Sequence, residues 1–231
     1  NVCNSRFIFW WKFSKEIMID STNPVYDFIA KKENEKLYND IQIFKENIPS
    51  YAPRKIEVVE KFIKNTLLKP YTDEVDKIKN GTYAYGLRIG QGYITNPATT
   101  IPEMEMQFKE RVNQDLNFVK SLNNENLNLN KNQMAAITSL VYNIGQDRFK
   151  NSEAYKNLLK GDLENFKKEA FDSEIGFVKD KKGGTIIQGL VNRRQEEQEL
   201  FNKEVEKSKP MEDKKEKSLA ADLAARRAGI Y

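Results

Sequence analysis

The chain has 231 residues, 39% hydrophobic and 11% aromatic, which suits one core with tails or two small domains. Its 38 Lys and Arg against 34 Asp and Glu leave a net charge of +4, too slight an excess for a nucleic-acid signature. With Cys3 as the single cysteine and no histidine, an intramolecular disulfide is excluded and a zinc site or His-based catalysis is not expected, so carboxylates and hydroxyls are left to carry any chemistry without metal or cofactor.

In chain order, Phe7-Ile8-Phe9-Trp10-Trp11 is apolar but too short to span a bilayer, and it lacks the form of a secretory signal. Because the sequence opens on Asn1, a processed start, a fragment and a natural start at Met18 all stay open. Pro24, Pro49 and Pro53 punctuate residues 1–52, which read as an N-terminal extension whose aromatic run packs on the body or on another protein. Pro53 then opens a helix with Ile56, Val59, Phe62 and Ile63 on one face. From Lys69 to Thr95 the residues turn to Gly, Tyr and Thr, with Gly81, Gly86, Gly90 and Gly92 marking turns, so this stretch holds short antiparallel strands.

Thr100 caps the next helix, with Pro102 in its first turn and Phe108, Val112, Leu116 and Val119 as its apolar stripe. After an Asn-rich linker, Asn130 or Asn132 caps a helix through Ile137, Leu140 and Val141 that ends at Asn143 and Gly145. It carries so little charge that it reads as central and buried. Ser152 starts another helix, which Gly161 stops. The pattern predicts an α+β domain, mainly helical with a small sheet near its N-terminal part, over residues 53–203. Residues 204–231 form a charged linker followed by a helix-forming segment, Leu219 to Ile230, which either docks on a partner or frays.

Several strings along residues 53–203 occur in a familiar order. They are Asn132-Gln133-Met134-Ala135-Ala136 running on to Tyr142-Asn143-Ile144-Gly145, then Ser152 with Gly161-Asp162. Gly183-Gly184 leads on to Gly189-Leu190-Val191-Asn192-Arg193-Arg194, Glu197 and Phe201. The ordered set resembles the phage-type lysozymes, which hydrolyse the muramic acid to glucosamine link of peptidoglycan. That family places an apolar pair, two polar residues, an aromatic, the catalytic Glu and a Gly at the end of its first helix. The similar string here is Val58-Val59-Glu60-Lys61-Phe62-Ile63-Lys64, so the resemblance sets Ile63 at the place of the acid. A Tyr-x-Asp and a strand-opening Thr direct water in the family, matched by Tyr71-Thr72-Asp73 and by Thr82 before Tyr83-Ala84-Tyr85-Gly86. The family's string ends Gly-His, whereas this chain has Gly86-Leu87. The resemblance further implies Tyr85 and Gln133 as substrate contacts.

Glycoside hydrolysis needs one carboxyl to protonate the leaving oxygen while another group directs water to the opposite face of the sugar. Ile63 cannot donate a proton. The first reading is therefore a lysozyme fold that has lost its acid and serves as a peptidoglycan-binding or structural component, in a phage particle or against the host envelope, with virion proteins as partners. The second is an active endolysin or virion-associated lysozyme in which Glu60, one helical turn before Ile63, is the displaced acid.

Overall fold

The computed structural model describes residues 24–47, 61, 65, 68–70, 81–90, 94–124, 127–179 and 184–203. Helix α1 spans Pro24–Asn47, and the strands β1, Thr82–Tyr83, and β2, Leu87–Arg88, follow it. Then come α2 (Ile101–Leu122), α3 (Lys131–Ile144), α4 (Gln146–Lys150), α5 (Glu153–Leu159), α6 (Leu163–Phe171) and α7 (Gln188–Asn202). This is the mainly helical α+β arrangement with one small antiparallel sheet that the sequence predicts.

Local chemistry accounts for the helix ends. The Thr100 hydroxyl accepts from the Glu103 amide, and Pro102 fills the first turn of α2 without wasting a donor. Asn130, not Asn132, caps α3: its carbonyl oxygen accepts from the Gln133 amide at 2.9 Å, and the Gln133 carbonyl oxygen accepts from the Asn130 amide at 2.9 Å. Ser152 caps α5, and Gly161, at φ +74°, takes the left-handed turn between α5 and α6.

The predicted stripe of α2, Phe108, Val112, Leu116 and Val119, is buried. Helix α3 lies at the centre, packed against α7, α2 and α1, and Ala135 through Tyr142 are all buried. Its low charge follows from this position. The core has two parts, one joining α1, the hairpin and α2, the other joining α3 with α5, α6 and α7. Among the described residues, no helix is long and apolar enough to cross a membrane.

The strands are only two residues each, in the register Thr82↔Arg88 and Tyr83↔Leu87, because Ala84 and Gly86 both turn at positive φ between them. Within the stretch assigned to an N-terminal extension lies α1, whose Val25, Tyr26, Ile29, Ala30, Leu37 and Ile41 are all buried in the first core cluster. The aromatic run at 7–11, the helix expected after Pro53 and the C-terminal segment lie outside the described residues.

Candidate active site

The most heavily charged part of the interior lies where α1, α3, α7 and the hairpin meet. Helix α1 is interrupted at Asn34, whose φ of −161° and ψ of 83° break the helical run immediately after Glu33. The Asn34 side chain bridges the break, donating to the Ala84 carbonyl at 3.4 Å and accepting from the Leu37 amide at 3.0 Å. Glu33 is thereby turned against the hairpin. A Cβ built on Gly86 would lie 2.6 Å from Glu33 Oε2, so this glycine, at φ +74°, is required both for the turn and for the close approach of the carboxylate.

From the opposite side, Arg193 on α7 donates through Nη1 to Glu33 Oε1 at 2.6 Å. Its other donors are fixed as well. Nε reaches Glu197 Oε1 at 3.1 Å, and Nη2 reaches both the carbonyl and the hydroxyl of Ser139 at 3.2 Å. Ser139 in turn donates to Glu197 Oε1 at 2.6 Å. Burial works against the Arg193 charge, yet Glu33 and Glu197 outweigh it and hold the guanidinium above its ordinary range. Arg194 is less well served. Its Nη2 donates to Asn143 Oδ1 at 3.0 Å and to Glu197 Oε1 at 3.2 Å, while its Nε, 2.9 Å from Glu197 Oε2, is too poorly angled for a hydrogen bond. Burial pushes its pKa down to about 10.

A wall of aromatic residues backs the cluster. Tyr142 donates to the Tyr85 carbonyl at 2.7 Å, and Phe108 lies between the two rings, 4.9 Å from Tyr85 and 6.0 Å from Tyr142. Arg111 stacks over Tyr142 and pairs with the buried Asp115, which also accepts from Gln146 Nε2 at 2.9 Å. Burial raises the pKa of Asp115 in spite of these partners and raises that of Tyr142 well above the phenol range.

The residues singled out from the sequence fare differently. Thr82 sits buried on β1, in the hairpin whose Gly86 touches Glu33. Tyr85 is 1% exposed, with its ring in the core, and cannot present that ring to a sugar. The Gln133 carbonyl is committed to the α3 cap. Glu60, Ile63 and Asp73 lie outside the described residues. Sequence reasoning passed over Glu33, although Ile29-Ala30-Lys31-Lys32-Glu33-Asn34 offers an apolar pair, two polar residues and a carboxylate, lacking the aromatic, and Tyr38-Asn39-Asp40 supplies a Tyr-x-Asp soon after.

An endolysin of Bacillus phage PZA is 30% identical over 125 residues, which cover 54% of this chain and 45% of that protein, so the chain spans under half the length of this relative. Among solved structures, an endolysin from Escherichia coli O157:H7 phage FAHEc1 superposes with a TM-score of 0.47 at 22% identity, over 63% of this chain and 89% of the other. The muramidase domain of SpmX from Asticaccaulis excentricus gives a TM-score of 0.46 at 20% identity, over 63% and 95%. The family model for phage lysozyme matches residues 63–197, a segment that holds the hairpin, the central helix and Arg193. By that match, which takes in more than half of its residues, the chain belongs to the phage lysozyme family.

Proposed function

We propose that this chain cleaves peptidoglycan as a lysozyme and that Glu33, rather than Glu60, is its general acid. The observation that carries the reading is the lodging of the Glu33 carboxylate at a helix break, against Gly86 of the hairpin on one side and Arg193 on the other. This supports a carboxyl fixed by its surroundings, as proton transfer to a glycosidic oxygen requires. In the reaction, Glu33 hands its proton to the leaving oxygen as the bond to the anomeric carbon breaks. Water adds to that carbon from the opposite face. Thr82, on the adjoining hairpin, and the carboxylate of a Tyr-x-Asp, Asp73 by resemblance, are assigned to hold that water. The catalytic domain then runs from α1 to the end of α7 instead of beginning at residue 53.

Release of muropeptides from purified peptidoglycan tests the assignment. Glu33→Gln keeps the shape and removes the proton, and is expected to lower the rate by about 10²–10⁴, while Glu60→Gln stays near the wild-type rate. Asp40→Asn and Asp73→Asn, measured side by side, identify the carboxylate that directs water. The presence of Ile63 in the acid's place within the string that ends at Lys64 favours the other reading, a wall-binding or virion component without catalysis. Wild-type protein that binds peptidoglycan and releases nothing would decide for that reading, and gain of lysis in Ile63→Glu would point to the same conclusion.

A further inference from the structure

Resting on the reading that Glu33 is the acid, we propose that Glu197 is a positioning residue for the reaction: it clamps Arg193 against Glu33 and so fixes the direction from which the guanidinium meets that carboxyl. Glu197 is fully buried and does not reach Glu33, so it acts through the guanidinium. A guanidinium is planar and presents its donors in a fixed fork. With Nε held by Glu197 and Nη2 held by Ser139, only Nη1 is left to face Glu33, and its direction is set by the other two.

Two guanidinium groups, Arg193 and Arg194, share this interior with two carboxylates, Glu33 and Glu197, and Glu197 is the one that both contact. The other charged and titratable groups turned toward this point are Lys32 of α1, which is paired with Glu196 of α7, and Tyr142 of α3, which has Arg111 and Asp115 behind it.

The experiment measures muropeptide release from purified peptidoglycan for the full chain and its variants. Folded Glu197→Gln should lower kcat about tenfold or more while its apparent KM stays near the wild-type value. A folded Glu197→Gln with an unchanged kcat, or with a loss confined to KM, would overturn the proposal. Because a buried carboxylate removed from two arginines can cost the fold itself, Ser139→Ala provides a milder arm. It deletes the hydroxyl shared by Glu197 and Arg193 and should lower kcat about fivefold at constant apparent KM, and an unchanged kcat in this variant also overturns the proposal. An inactive Glu33→Gln beside a silent Glu197→Gln defeats this inference alone, whereas a fully active Glu33→Gln defeats the reading beneath it.

Discussion

Ala84 holds a φ of +50°, in the left-handed region where a Cβ crowds the following carbonyl. Such a conformation costs a non-glycine residue about 1–2 kcal/mol, partly offset by the lower chain entropy that alanine loses on folding. The strain is retained at the tip of the hairpin that carries Thr82 and Gly86, where the Asn34 amide donates to the Ala84 carbonyl. Ala84→Gly is expected to raise stability by about 0.5–1 kcal/mol, read as a higher midpoint in urea at unchanged slope. A lower midpoint would mean that the Ala84 methyl, 1% exposed along with its residue, contributes more packing than its backbone loses.

At the scale of elements, the helices legible in the sequence are those whose ends carry their own chemistry. Thr100, Asn130 and Ser152 each accept from an amide of the first turn, so side chain and backbone agree on where the helix starts. Removing the cap of α3 by Asn130→Ala should cost about 1 kcal/mol, and Asn132→Ala less, since Asn132 gives an exposed bond to the Lys203 carbonyl and not a cap. Equal losses in thermal melts of the two variants would contradict the capping assignment. Helix α1 was hidden for the opposite reason. Its apolar residues come in two sets, Val25, Tyr26, Ile29 and Ala30, then Leu37 and Ile41, separated by six polar residues. The polar run Lys31 to Lys36 falls across the kink at Asn34 and reads as solvated surface. In fact Glu33 is turned inward to Arg193, a partner 160 residues away that no local pattern can reveal. The local string around Glu33 was a partial signal, lacking the aromatic, and the rest of the environment of Glu33 is assembled from distant segments.

For the molecule as a whole, the question is where the folded unit begins. Helix α1 and α2 share one core cluster, α3 meets both, and Arg193 of α7 ties α1 to the second cluster's side of the molecule. Full burial of a large aliphatic side chain contributes about 1.5–3 kcal/mol. Val25, Ile29, Leu37 and Ile41, each no more than 2% exposed, therefore contribute together on the order of the entire stability of an ordinary domain, about 5–15 kcal/mol. Deleting α1 would also remove part of the cluster that holds Phe108, Val112 and Tyr85 and leave Arg193 with one carboxylate fewer. A chain of residues 53–203, the domain limits that the sequence pattern suggests, should accordingly fail to unfold cooperatively, bind a hydrophobic dye and release no muropeptides. Residues 24–203 should show a single sharp thermal transition. If the shorter chain melted as sharply as the longer one, α1 would be an appendage after all, and the acid would have to be sought beyond it.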